Sequence, residues 1–221
     1  MISDKALKQN AVFQTWPLTG THLQFLPVAG LEPGTALSGR EAAVYAAFRI
    51  EKRRSEWLAG RLAAKALLAE DGEKPAELEI GMDRLGRPCC GARLVSISHS
   101  NGWALAAVKP GTTFLGADLE KIEERHPAWY SDYFHPSELP KPDPSEGTRL
   151  WALKEALMKA LGLGLMADPM DIRVTDKVVF TGKPLERYRE MGSPHFTVEA
   201  RPFPEGFWTA VAAGAEPAPG R

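Results

Sequence analysis

The chain has 221 residues, a net charge of -1 and 44% hydrophobic residues, a length suited to one large or two small domains and an ordinary globular composition. The near-zero charge argues against a non-specific nucleic-acid binder, and no apolar run is long enough to span a bilayer. Cys89 and Cys90 are the only cysteines, which is neither a disulfide framework nor a zinc spacing. With no signal-peptide core at the N-terminus, the expected compartment is the cytoplasm. His22, His99, His126, His135 and His195 form no His-x-x-x-His pair, so a zinc hydrolase is not indicated.

Residues 1–20 are weakly patterned and read as an irregular lead-in. His22–Val28 alternates and predicts a short strand. Residues 30–39 read as loop, and Arg40–Ala69 as helix in two pieces, the second beginning near Ser55. Leu78–Met82 predicts a strand, followed by a Gly86-Arg87-Pro88 turn. Val95–Ser100 and Trp103–Val108 flank Asn101-Gly102, a hairpin signal because Asn-Gly accepts the positive φ of a type I′ turn. Phe114–Glu120 predicts another strand. His135–Gly147, rich in proline and charge, reads as an exposed loop. Arg149–Leu165 reads as a helix and a Gly-punctuated turn. Met170–Val174, Lys177–Phe180, Phe196–Ala200 and Trp208–Ala212 are further strand candidates, and residues 214–221 read as a frayed tail.

The two Trp-bearing helices align without a gap from Trp57 and Trp151 through Pro75 and Pro169. Lys65 falls on Lys159. Gly86-Arg87-Pro88 resembles Gly182-Lys183-Pro184, the Trp103 strand resembles the Trp208 strand, and the His22 strand matches the Phe114 strand. An internal duplication follows. The predicted fold class is α+β: two similar subdomains related by a pseudo-twofold, each a small, mostly antiparallel sheet on a long helix. Residues 1–110 form the first half and 111–213 the second. The halves differ in charge. Asp118, Glu120 and Glu155 in the second half fall on Gln24, Leu26 and Arg61 in the first, which points to a site at the seam.

On a 3.6-residue wheel, Leu150, Trp151, Leu153, Leu157, Met158 and Leu161 form one apolar arc. Glu155 and Lys159 lie at its edge, and read equally as an i,i+4 surface pair. Lys154 falls inside the arc, where an ammonium needs a partner. Asp118 and Glu120, two apart on a strand, share a face. With a third carboxylate they suit a hard cation such as Mg²⁺, although an isolated D-x-E is more often simply solvated. In Ser96-Ile97-Ser98-His99-Ser100 the serines face one way, and His99 the other with Val95 and Ile97. Ser98 and His99 therefore do not form a nucleophile–base pair. Phosphate binding by hydroxyl and imidazole, or a histidine satisfied by backbone, both remain open. Arg53, Arg61 and Arg87 would complete a polyanion site, or be merely solvated.

Gly116-Ala117-Asp118-Leu119-Glu120, followed by Trp151-Ala152-Leu153-Lys154-Glu155-Ala156-Leu157-Met158-Lys159, resembles the G-x-D-x-E and W-x-x-K-E-x-x-x-K signature of the 4′-phosphopantetheinyl transferase superfamily. The Ser-Ile-Ser-His-Ser run, the Gly-Arg-Pro turn, and Phe134 with Glu138 (an F-x-x-x-E) resemble further blocks of that family. Length and duplication look like its Sfp-type branch, a monomeric pseudodimer. The resemblance implies transfer of the phosphopantetheine arm of coenzyme A to a serine of an apo acyl or peptidyl carrier protein, releasing 3′,5′-ADP. It implies Asp118, Glu120 and Glu155 as ligands of Mg²⁺ (or Mn²⁺), with Glu155 and Lys159 as catalytic groups. It implies Arg53, Arg61, Arg87, Ser98, His99, Lys154 and Lys159 as coenzyme A contacts. No nucleic acid or membrane partner is implied. The competing readings are a non-catalytic carrier-binding relative and an unrelated Mg²⁺-dependent hydrolase of coenzyme A or nucleotide.

Overall fold

In the computed structural model the described residues are 11–69 and 73–214. The strands and helices in chain order are β1 (Val12–Trp16), β2 (Thr21–Pro27), α1 (Gly39–Ala47), α2 (Glu51–Leu68), β3 (Gly81–Met82), β4 (Pro88–Cys90), β5 (Arg93–Ser100), β6 (Trp103–Val108), β7 (Leu115–Lys121), α3 (Pro127–Tyr133), α4 (Pro144–Leu161), β8 (Ile172–Val174), β9 (Val178–Phe180), α5 (Gly182–Glu190), β10 (Phe196–Arg201) and β11 (Phe207–Gly214).

One sheet has the order β1-β2-β6-β5-β4-β3 and a second the order β10-β11-β7, with β8-β9 as a separate pair. All pairings are antiparallel. Within this arrangement β2-β6-β5 in one lobe corresponds to β7-β11-β10 in the other, the same spatial order in each copy. Both lobes are thus small antiparallel sheets packed on helices, in a pseudo-twofold arrangement.

Strand alternation sets the layers. Leu23, Phe25 and Leu105 of the first sheet meet Leu115, Leu119 and Val211 of the second in one shared core. The opposite face of each sheet carries its helix. Leu58, Leu62 and Ala63 of α2 cover the first sheet, while Leu153, Ala156 and Leu157 of α4 cover the second. Cys89 packs toward the shared core and Cys90 toward the α2 side. Both are free thiols, as alternation on β4 requires.

The lobes repeat one buried device in detail. Lys65 Nζ donates to Glu41 Oε2 at 2.5 Å and to the carbonyls of Ala36 (2.9 Å) and Pro75 (2.7 Å). Lys154 Nζ donates to Glu138 Oε2 at 2.9 Å and to the carbonyls of Tyr133 (2.8 Å) and Pro169 (3.0 Å). In each copy the other carboxylate oxygen accepts a backbone N–H, from Ile80 just before β3 or from Val174 of β8. The backbone N–H three residues before the glutamate closes the set, from Ser38 or His135. An ammonium with three acceptors is well matched to its three donors. Lys65 and Lys159 hold the same position in the aligned helices but not the same role. Lys154, more than a helical turn earlier, does for α4 what Lys65 does for α2, because side-chain reach, not sequence register, selects the partner.

Other local readings also change. The lead-in contains β1, held to β2 through residues 12–16 and 21–25. The stretch 135–147 is not wholly an exposed loop: Glu138 is sealed inside, and α4 starts at Pro144. There Asp143 Oδ1 accepts the Glu146 N–H at 2.7 Å as N-cap, and proline at N1 lacks only a donor that the first turn leaves unused. Residues 127–133 and 182–190 are helices, so Gly182-Lys183-Pro184 opens a helix where Gly86-Arg87-Pro88 makes a turn. Of the segment expected to fray, residues 215–221 lie outside the described residues.

Candidate active site at the seam

Gly116 explains how the acidic strand approaches its helix. A Cβ built there would lie 1.8 Å from the Ala156 carbonyl oxygen and 2.7 Å from the Ala160 nitrogen. Only glycine lets β7 lie this close to α4. The face that begins with Gly116 continues through Asp118 and Glu120, so both acids are carried to the α4 side, where Glu155 and Lys159 project.

Asp118 is 3% exposed. Its Oδ1 accepts from Lys159 Nζ at 2.6 Å and from Ser98 Oγ at 2.6 Å, while its Oδ2 is buried without a hydrogen-bond partner. Lys159 also donates to the Ala117 carbonyl at 3.3 Å. The carboxyl of Glu120 is pushed up to about 7, first by burial and then by the charge of Asp118, against the pull of Arg125 and Lys159; the charge of Glu155 pushes the same way. Glu155 is likewise raised, by burial and then by Asp118, with Lys159 opposing. The three acids therefore feel one another, and the excess negative charge is only partly offset by Lys159 and by Arg125, 4.0 Å from Glu120.

These acids do not form a closed cage. Among the described residues, no three His, Cys, Asp or Glu side chains are gathered tightly enough to hold a metal ion. The donor set nevertheless fits Mg²⁺, which keeps several waters and takes only one or two carboxylates beside substrate phosphate oxygens. The orphaned Oδ2 of Asp118 is the kind of atom such a cation would satisfy, since a buried anionic oxygen without a partner is costly.

Two cavities border β5, the strand whose Ser98 meets Asp118. One, of about 330 Å³, lies on the seam and is lined by Lys159, Leu115, Ser96, Ile97, Arg87 and Gly162 among others. The second, of about 460 Å³, belongs to the first lobe and is lined by Phe48, Arg53, Glu56, Trp57, Arg61, Ile97 and His99. Ile97 borders both. Arg61 stacks over Trp57 at 4.9 Å, and burial lowers its pKa while Glu41 raises it. Its Nε makes no hydrogen bond but lies 3.8 Å from Glu41 Oε1, so this ion pair holds the guanidinium at the cavity wall. His99 Nδ1 lies 3.7 Å from Glu56, an orienting carboxylate.

The structure thus brings Asp118, Glu120, Glu155, Lys159 and Ser98 into one group, and Arg53, Arg61 and His99 into the neighbouring cavity. Lys154 is not among them. It is 0% exposed, bound to Glu138, and its pKa is lowered by burial. Arg87 lines the seam cavity, but its guanidinium is committed. Nε and Nη2 lie 2.9 and 2.8 Å from Asp83 Oδ2, and Nη1 donates to the carbonyls of Thr113 (2.8 Å) and Ala160 (3.0 Å). It caps the C-terminal end of α4 from the other lobe. The sequence reading missed Glu56, Trp57 and Phe48 as lining. Trp57 was visible as a repeated aromatic, but nothing local distinguishes Glu56 from a surface acid.

A family model described as the 4′-phosphopantetheinyl transferase superfamily matches residues 114–211. A second, the 4′-phosphopantetheinyl transferase N-terminal domain, matches residues 40–109. A phosphopantetheinyl transferase of Thraustochytrium sp. is 26% identical over 163 residues, which cover 62% of this chain but only 56% of that relative's length. Among solved structures, the acyl carrier protein synthase of Mycobacterium tuberculosis is 25% identical, with all of that chain and 48% of this one covered at a TM-score of 0.37. The two family models meet at the junction of the lobes and between them take in both cavities and all three acids, so this chain belongs to the 4′-phosphopantetheinyl transferase superfamily.

Proposed function

We propose that this protein transfers the 4′-phosphopantetheine arm of coenzyme A to a serine hydroxyl of an apo acyl or peptidyl carrier domain, releasing 3′,5′-ADP. It would act as a cytoplasmic monomer of the pseudodimeric, Sfp-type branch. The observation that carries this reading is the buried, unpartnered Oδ2 of Asp118, grouped with Glu120, Glu155 and Lys159 and bound through Ser98 to the strand whose His99 lines a cavity with Arg53 and Arg61.

The roles follow from charge and reach. Arg53, Arg61 and His99 hold the phosphates and adenine of coenzyme A, with the arginine forks suited to phosphate oxygens. Asp118, Glu120 and Glu155 would hold Mg²⁺, or Mn²⁺, which when bound supplies positive charge against the pyrophosphate oxygens. Glu155 takes the proton of the carrier serine, a task that suits a carboxylate whose pKa is raised. The serine oxygen forms a bond to the β-phosphorus, and the bond from that phosphorus to the α-phosphate oxygen breaks. Lys159, donating from the rim of the seam cavity, stabilises the charge that develops on the leaving 3′,5′-ADP. Neither Lys154 nor Arg87 is given a share in coenzyme A binding, because their donors are already engaged.

Mass spectrometry of apo-carriers from fatty-acid, polyketide and peptide systems, incubated with coenzyme A, Mg²⁺ and the protein, tests the reading. A phosphopantetheine mass increment that is lost with Glu155→Gln or Asp118→Ala is the expected result. Release of 3′,5′-ADP with no carrier present would point to a hydrolase, and carrier binding without any increment to a non-catalytic relative.

A further inference from the structure

Three serines of β5 lie along the seam and each reaches β7. Ser96 Oγ accepts the Ala117 N–H at 2.8 Å and donates to the Ala117 carbonyl at 3.3 Å. Ser100 Oγ accepts the Lys121 N–H at 3.4 Å. Both bind main chain, and so stitch two strands that share no backbone ladder. Ser98 lies between them and differs. Its hydroxyl donates to a side chain, Oδ1 of the buried Asp118, at 2.6 Å.

A carboxylate can be turned about its terminal torsion at little cost, because that torsion is broad. Pinning one oxygen decides what the other is free to do. Oδ1 of Asp118 is pinned twice, by Ser98 from the first lobe and by Lys159 from the second. The two pins are not equivalent. The Lys159 side chain is 27% exposed on a flexible stem, and in the reading above it is drawn to substrate phosphate. Ser98 is buried and short, and its hydroxyl does not follow the substrate. We infer that Ser98 is a positioning residue for the cation site: from the opposite lobe it fixes Asp118 so that Oδ2 stays available as a ligand atom whether or not Lys159 has moved. The hydroxyl is then not a coenzyme A contact, contrary to what the family resemblance implies for it. Alignment of the lobes becomes part of cation affinity. This inference rests on the proposed function only in taking Asp118 as a ligand.

Mn²⁺ binding, followed by electron paramagnetic resonance and by calorimetry without coenzyme A, tests it on the full chain. Ser98→Ala weakens Mn²⁺ binding about tenfold or more, the usual effect of removing an outer partner of a ligand. Ser98→Thr, which keeps the hydroxyl, restores most of it. Ser100→Ala, the neighbouring stitch to main chain, leaves it unchanged. Coenzyme A binding measured in EDTA is the same for Ser98→Ala and the wild type. Equal Mn²⁺ affinity in Ser98→Ala and wild type overturns the inference and spares the proposed function. So does a loss of coenzyme A binding in EDTA with Mn²⁺ affinity intact. A wild-type protein that binds no Mn²⁺ without coenzyme A overturns the inference, and one that binds none with coenzyme A present overturns both.

Discussion

Ser98 and Asp118 belong to opposite lobes, yet their side chains meet at 2.6 Å, and Lys159 meets the same carboxylate oxygen at the same distance. The arrangement gives a buried anion one protein cation and one hydroxyl, and leaves one oxygen over. A site that stores part of its charge balance in a movable lysine should respond in a definite way when that lysine is removed.

Lys159→Met is expected to destabilise the metal-free protein by about 1–3 kcal/mol, less than for a fully buried pair because the lysine is partly exposed. Divalent cation should then raise the melting temperature of the variant more than that of the wild type, since the ion supplies the missing charge. Thermal unfolding in EDTA and in millimolar Mn²⁺ checks this. An equal rise in both proteins would mean that Lys159 and the cation do not answer the same charge.

Gly116→Ala places a methyl where the Ala156 carbonyl stands, 1.8 Å away. Backbone cannot yield as a side-chain end can, so β7 and α4 must separate. A loss of about 3 kcal/mol or more, beyond the usual range of a single substitution, is expected in urea unfolding. Mn²⁺ affinity should fall with it, because Glu155 moves away from Asp118 and Glu120.

Lys154→Met strands Glu138 as a buried anion and is expected to cost about 3–5 kcal/mol. The double variant Lys154→Met/Glu138→Met should be less harmful than the sum of the single changes, since each single change leaves an uncompensated charge. The same double variant should retain coenzyme A affinity, measured by calorimetry on the folded protein. A loss of affinity would return Lys154 to the binding site.

Glu120 and, in the same direction, Glu155 contribute a pH dependence. The folded-state pKa of Glu120, raised to about 7, lies above the unfolded value near 4.5, so between these limits the native state binds more protons than the unfolded state. By linkage the unfolding free energy contributed by this group falls as pH rises through that window. In EDTA, Glu120→Gln should flatten the decline between pH 5 and pH 7.5, as read by urea unfolding at both values. An unchanged slope would show that the carboxyl is not held protonated by its neighbours.

Much of this was legible in the chain. The alternation in His22–Val28, the apolar run of Phe114–Glu120 that ends in two acids, the strand-like Trp208–Ala212, the Asn101-Gly102 turn and the apolar arc of the Trp151 helix are local patterns. They report which face each element buries, and their recurrence foretold two alike lobes with sheets face to face. The spacing of Asp118 and Glu120 put both acids on one face for the same reason. The segments read wrongly are those where a local signal has two meanings. Pro144 and Pro184 looked like turn residues, but proline is equally at home in the first turn of a helix.

What only the tertiary structure decided is partnership. Lys154, Arg87 and Ser98 all bear groups suited to phosphate, and nothing in their immediate neighbours distinguishes them from Arg53 or Arg61. Packing gives Lys154 to Glu138, Arg87 to Asp83 and the end of α4, and Ser98 to Asp118, while Arg61, 3.8 Å from Glu41 and without a hydrogen bond from Nε, lines an open cavity. Residue type and period are properties of a segment. Whether a donor is spent or available depends on which acceptor the other lobe brings within about 3 Å, and that distance is set by how two sheets and two helices close on one another.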